Sequence, residues 1–320
     1  MNGLQDVITV FSPAKVNLHL TVFDKRADGF HNLESVFLAV NFGDTLHFQT
    51  VNPENSIEIT MKGMDSVIPA EKNIIFKAIS LFRQKTGFSK GLNITVEKRI
   101  PQGGGLGGGS SNAASTLLTL NRLAGLPCGK DALLDMAASL GSDVPFFVSE
   151  TPAALVTGRG EQIQPIEAPS LYFTLVNPGF SSDTAAAFRL LDECREKETS
   201  HGGTKAQSCR SLSVPNSQEI SVNYPKYLRN MFNISDNNFV PLCLCEINFS
   251  NDFLSIFPEK EKSVYNAIIS RLRELGAQFS GVSGTGSTCF GVFEDEQKAQ
   301  KAAEIMRESW DFSVFCGIKQ

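Results

Sequence analysis

Apolar and polar positions follow different periods in the two halves of the chain. In the first hundred residues they alternate, as in Thr45-Leu46-His47-Phe48-Gln49-Thr50-Val51 and Leu92-Asn93-Ile94-Thr95-Val96-Glu97, the spacing of half-buried strands. Between these segments, residues 73–82 switch to a helical period, with Asn73 placed to cap the start and Gly87 to stop the helix. Further helices are expected over 110–124, closed by Gly125 and Pro127, and over about 130–140. The second half has α/β character. A strand is expected at 171–176 and a helix at 183–191. Another helix at 260–275 would carry one apolar stripe of Val264, Ile268, Leu272 and Leu275. Strand, helix and strand follow at 288–293, 295–308 and 312–317. Residues 193–223 are polar and serine-rich with little periodicity, and read as a long surface loop or insertion. No internal repeat is visible.

Composition narrows the class. At 320 residues about two domains are expected, and 42% hydrophobic with 20% charged residues describes a globular chain. The formal net charge of −5 gives no general attraction to nucleic acid, so any polyanion site must be local. No apolar run reaches the ~18 residues of a membrane span. The first fifteen residues lack the basic stretch and apolar run of a signal peptide, so a cytoplasmic location is expected, with no membrane partner. The seven cysteines are scattered, and Cys243-Leu244-Cys245 lacks the two-residue spacing of a zinc or redox motif, so reduced thiols are expected. Four histidines, at 19, 31, 47 and 201, have no metal-ligand spacing.

Six glycines fall within the seven positions from Gly103 to Gly109. Each ordered glycine costs roughly 0.5–1 kcal/mol relative to alanine, so the cluster answers a need for positive φ or for close approach to the backbone. Three readings compete. A flexible linker would mix glycine with serine over a longer stretch and would not join a strand to a helix. A dinucleotide loop is matched formally by Gly103-x-Gly105-x-x-Gly108. However, the preceding strand alternates, and the first acidic residue downstream, Asp131, falls in the next expected helix. A phosphate cradle needs only successive N–H groups and a helix N-terminus, and that context favours it. No Gly-Lys-Ser/Thr follows, so it is not a Walker A loop.

The stretch Ile100-Pro101-Gln102-Gly103-Gly104-Gly105-Leu106-Gly107-Gly108-Gly109-Ser110-Ser111-Asn112-Ala113-Ala114 resembles the phosphate loop of the GHMP kinases, which include galactokinase, homoserine kinase and mevalonate kinase. Ser12-Pro13-Ala14-Lys15-Val16-Asn17-Leu18 and Gly284-Thr285-Gly286-Ser287 resemble two further blocks of that family. Arg26-Ala27-Asp28-Gly29-Phe30-His31 and Leu140-Gly141-Ser142-Asp143-Val144-Pro145-Phe146-Phe147 resemble the branch acting on a cytidine diphosphate-linked methylerythritol. The five blocks stand in the family's order and span residues 12 to 287.

The resemblance implies an α/β (α+β) two-domain GHMP kinase fold. Residues 1–165 would be similar to the second domain of ribosomal protein S5, and residues 166–320 would be ferredoxin-like. It implies ATP-dependent phosphorylation of the 2-hydroxyl of that small-molecule substrate by a monomer or weak homodimer. The alternatives are another small-molecule kinase of the family or an inactive nucleotide-binding member. Pro101, Gly103, Gly104, Gly105, Leu106, Gly107, Gly108, Gly109, Ser110 and Ser111 would hold the triphosphate. Asn73 would contact the adenosine side, unless its part is to cap its helix. Asp143 would accept or orient the hydroxyl proton beside Lys15, with an N-cap or turn role as the alternative for Asp143. An Asp–Lys pair in a partly desolvated cleft keeps both members ionised. Asn17 would hold substrate or Lys15, or end a strand, and Thr285 would lie near the substrate phosphates or merely close a tight turn. Phe30, His31 and Phe188 would receive the cytosine, where the alternative for either phenylalanine is a place in the core. Mg2+ should accompany ATP, but no protein ligand is identified. Several relatives place a coordinating serine directly after Gly-Leu-Gly, where this chain has Gly108 and Gly109.

Overall fold

The computed structural model describes residues 7–63, 69–167, 170–200 and 251–319. Two antiparallel strands dominate the first half: β1 (Ile8–Lys25) and β2 (His31–Val51), paired along most of their length. Their middles are nearly continuous apolar runs because both faces are buried. In β2, Phe37 and Ala39 face one core, while Val36, Leu38 and Val40 face another. Pro13, which cannot donate to a ladder, sits at a register shift in β1.

The first sheet has the order β3-β4-β2-β5-β6, with β1 also on β2. Its other strands are β3 (Ile57–Lys62), β4 (Gly91–Glu97), β5 (Ala153–Thr157) and β6 (Gln162–Pro165). Only the β3/β4 pairing is parallel. Helices α1 (Ile74–Thr86), α2 (Gly108–Leu123), α3 (Lys130–Leu140) and α4 (Val144–Val148) cover one face. There Ile75, Ile79 and Phe82 of α1 and Leu117 and Leu120 of α2 bury against Phe37, Phe48 and Ile94. Asn73 caps α1 through Oδ1, which accepts from Ile75 N at 3.0 Å, and Gly87 ends the helix in the left-handed region.

The second sheet contains β7 (Tyr172–Asn177), β8 (Phe279–Val282), β9 (Cys289–Phe293) and β10 (Phe312–Gly317) in the order β10-β7-β9-β8, all antiparallel. Numbered within this half, the order is 4-1-3-2, the split-βαβ pattern of a ferredoxin-like fold. Helices α5 (Thr184–Ser200), α6 (Glu259–Glu274) and α7 (Glu296–Arg307) pack on its outer face, around Tyr265, Ile268 and Phe293. Its inner face meets the first sheet, where Phe173, Leu175 and Phe290 lie on Val16 and Leu38. The result is four layers: helices, sheet, sheet, helices.

The expected elements are present, with two differences. Helix α2 begins at Gly108, two residues before the expected start, so the last glycines of the cluster form its first turn. The stretch 193–223, expected as a loop, is helical through Ser200, and residues 201–223 lie outside the described residues. Glu193, Arg195, Glu196 and Lys197 favour helix by propensity, which a periodicity criterion does not register. Among the described residues no helix is long and apolar enough to cross a membrane.

Candidate active site

The glycine loop joins the end of β4 to α2, and both its ends are anchored. Fully buried Asp44 accepts from the backbone amides of Arg99 (2.8 Å) and Ile100 (2.9 Å), from Asn112 Nδ2 (3.0 Å) and from Lys98 Nζ. Within the loop the carbonyls point into protein. Gly103 O accepts from Ser182 N (2.9 Å), Gly104 O from Thr288 N (3.1 Å), Leu106 O from Lys15 N (3.0 Å) and Gly107 O from Ser111 N (2.9 Å). Gly105 O accepts from Lys15 Nζ and Ser283 Oγ, both at 3.0 Å. By contrast, the amides from Gly103 to Ser110 donate to no backbone carbonyl among the described residues. A loop whose carbonyls are all engaged and whose amides are open, running into a helix N-terminus, is an anion cradle.

Two of the glycines are demanded by geometry. Gly105 has φ +74°, and a Cβ there would lie 2.0 Å from Ser283 O, so the loop rests directly on the turn after β8. Gly107 has φ +69° as the residue before α2, and its Cβ would press on Lys15 Cγ at 3.0 Å and the Phe147 ring at 3.1 Å. The close approach is therefore made partly to the protein itself.

Lys15 lies on β1 between two register shifts, with only 3% of its surface exposed. Its Nζ donates to Asn17 Oδ1 and Gly105 O, stands 3.5 Å from Asp143 Oδ2 and sits 4.9 Å over the Phe37 ring. Burial holds this ammonium below the ordinary lysine range, and the Asp143 carboxylate works against that shift. Asp143 precedes α4 but caps nothing, so its carboxylate is turned to Lys15 and the cavity instead.

At the opposite end, the 26–30 turn joins β1 to β2. His31 is buried, with its ring stacked on Phe188 of α5 at 5.2 Å and 26°. Its Nε2 lies 2.7 Å from Asp192 Oδ1. Phe30 is 52% exposed, with the Arg159 guanidinium 4.8 Å from its ring centre.

One cavity of about 900 Å³ connects these features. Its wall includes Lys15, Asn17, Phe30, His31, Asn73, Pro101, Asp143, Phe188 and Thr285, and the loop from Gly103 to Ser110. Of the residues singled out in the sequence, Ser111 alone is not on that wall. It is fully buried, and its Oγ accepts from Ser12 Oγ at 2.7 Å. Phe30 and Phe188 are cavity residues, and Thr285 Oγ1 pairs with Thr184 Oγ1 at 3.2 Å. Sequence reasoning missed Asp44, Arg159, Asp192 and Ser283. Asp44 had a signal, an acidic residue inside an otherwise strand-like run, whereas the others are recruited by tertiary contact alone.

Known proteins resemble this chain over nearly its whole length. Residues 73–151 match the family model for the GHMP kinases N terminal domain, and residues 246–311 match that for GHMP kinases C terminal. A relative from Syntrophus aciditrophicus, named 4-diphosphocytidyl-2-C-methyl-D-erythritol kinase, is 33% identical over 312 residues, covering 97% of this chain and 98% of its own. A chloroplastic protein of the same name from Arabidopsis thaliana is 33% identical over 288 residues, covering 89% of this chain and 67% of its own. Among solved structures, a 4-(cytidine 5'-diphospho)-2C-methyl-D-erythritol kinase aligns with a TM-score of 0.71 at 27% identity, covering 98% of this chain and 100% of that one. A homoserine kinase from Cytophaga hutchinsonii shares the fold, with a TM-score of 0.60 at 19% identity over 100% of this chain and 96% of that one.

Proposed function

The chain belongs to the GHMP kinase family, and from that premise we propose that it transfers the γ-phosphoryl group of ATP to the 2-hydroxyl of 4-diphosphocytidyl-2-C-methyl-D-erythritol. The products are the 2-phosphate and ADP, a step of the non-mevalonate route to isoprenoid precursors. The observation that carries the reading is the pairing of buried Lys15 with partly exposed Asp143, set between an open-amide loop and an aromatic end of one cavity.

Phosphoryl transfer asks a protein mainly for positioning and charge neutralisation. The open amides of Gly103 to Ser110 hold the phosphate oxygens of ATP, and Asn73 borders the adenosine side while it caps α1. Lys15, fixed by Asn17 and Gly105 O, lends positive charge to the reacting oxygens and lowers the effective pKa of the acceptor hydroxyl. Asp143 accepts or orients the hydroxyl proton as the new O–P bond forms and the bond to the β-phosphate breaks, ADP leaving with the electron pair. His31, Phe30 and Phe188 receive the cytosine, and Thr285 borders the phosphates of the bound substrate. Among the described residues no group of three or more His, Cys, Asp or Glu side chains is placed to hold a metal ion. Mg2+ would accompany ATP as its counter-ion and offset the charge of the phosphates, and no residue is assigned as its ligand. The working form is a monomer or weak homodimer acting on small molecules in the cytoplasm.

The test is ADP release by the purified chain with and without the cytidylated acceptor, the product being followed by phosphorus NMR. Acceptor-dependent ADP formation matched by one new phosphomonoester supports the reading. ATP turnover without a phosphorylated acceptor, or none at all, overturns it.

A further inference from the structure

Phe188 and Asp192 stand four residues apart on α5 and so share one face of that helix. Phe188 covers the face of the His31 ring, and Asp192 takes its edge. The second carboxylate oxygen, Oδ2, accepts from Lys25 Nζ at 2.8 Å. Lys25 and His31 are partners at the end of the β1/β2 ladder. One carboxylate from the ferredoxin-like half thus ties both feet of the 26–30 turn. Burial alone would raise the Asp192 carboxyl, but the hydrogen bonds from Lys25 and His31 outweigh it and hold the group below its ordinary range.

An ionised carboxylate only accepts hydrogen bonds, so the ring nitrogen that meets it carries the hydrogen. In the neutral imidazole this places the proton on Nε2 and leaves Nδ1 as an acceptor, with no partner among the described residues. His31 lines the cavity at the end where the base is proposed to bind. Cytosine presents an exocyclic amino donor at the position where uracil presents a carbonyl acceptor.

We infer that Asp192 is a positioning residue that sets the tautomer of His31, so that Nδ1 accepts a hydrogen bond and the site selects an amino-bearing base over its carbonyl counterpart. The inference rests on the proposed reading of this end of the cavity as a base site. Asparagine at 192 can donate through its amide, which frees the ring to carry its proton on Nδ1.

The experiment compares kcat/KM for the cytidine acceptor and its uridine analogue in wild type, Asp192→Asn and Asp192→Glu. The cytidine preference should fall roughly tenfold or more in Asp192→Asn, the equivalent of one hydrogen bond, through KM for the cytidine compound. KM for ATP should hold at its wild-type value, and Asp192→Glu, which keeps a carboxylate, should restore most of the preference. A wild type that prefers cytidine while Asp192→Asn keeps the same preference overturns this inference and leaves the base site standing. A wild type that phosphorylates both compounds equally, or neither, overturns both. If Asp192→Asn does not fold, the nitrogen NMR shifts of His31 in the wild type decide, recorded where the ring is neutral. Pyridine-type Nδ1 with pyrrole-type Nε2 supports the assignment, and the reverse overturns it.

Discussion

At the glycine-loop end the cavity wall is built around main chain: carbonyls tied inward and amides without backbone acceptors among the described residues, with side chains such as Lys72, Asn73 and Lys98 beside them. At the hairpin end the wall is side chain: a stacked His31–Phe188 pair, a carboxylate on the ring edge and an exposed Phe30 beneath a guanidinium. The first kind of wall recognises charge and shape, which every nucleoside triphosphate supplies. The second fixes donors and acceptors at single atoms and so discriminates between ligands that differ by one group. Lys15 and Asp143 lie between the two ends, and chemistry requires both to be filled.

The largest effect should come from the junction. Asp143→Asn should keep the fold and ATP binding but lower kcat by ~10²–10⁴-fold, the usual worth of a positioned proton acceptor. A kcat near wild type would remove Asp143 from the mechanism.

Next comes the anchor of the main-chain end. Asp44→Ala strands the partly buried Lys98 and leaves the Arg99 and Ile100 amides without their acceptor, which should cost roughly 2–4 kcal/mol of stability in a denaturant titration. Loss below about 1 kcal/mol would mean the loop is held elsewhere.

A glycine pair then separates fold from phosphate binding. Gly107→Val meets Lys15 and Phe147 at a positive φ, so both melting temperature and ATP affinity should fall. Gly109→Ala finds only Ile74 Cγ2 at 3.8 Å, so stability should hold or rise by up to about 1 kcal/mol while KM for ATP increases. An unchanged KM for ATP in Gly109→Ala would remove Gly109 from the phosphate cradle.

The smallest effect is one of pH. Lys15 acts as an ammonium, and burial depresses its pKa, so activity should fall as pH rises, with a midpoint below the ordinary 10.5. An alkaline limb at or above that value would contradict the assignment.

The two ends also differed in how far they could be read from the sequence. The phosphate loop is contiguous, and its glycine cost, flanking strand and helix-forming run are all local, so a phosphate cradle over Gly103 to Gly109 could be read from the sequence as a candidate. The strand character of 45–51 and 92–97 followed from alternation. The layering of two sheets did not, because the Val36–Val40 run is buried on both faces and shows no period. The Lys15–Asp143 pair joins positions far apart in sequence, and a family resemblance rather than spacing brought them together. Asp192 and Arg159 left no local trace. Asp192 is one acidic residue in a polar helix, and it acquires its part only where α5 meets His31.

The contrast between the two ends is tested most directly by offering the wild-type enzyme ATP with an equimolar mixture of the cytidine- and uridine-linked acceptors and measuring the ratio of phosphorylated products. The cytidine product should exceed the uridine product by at least about tenfold, since edge hydrogen bonds left unpaired discriminate strongly. Equal amounts of the two products would contradict it.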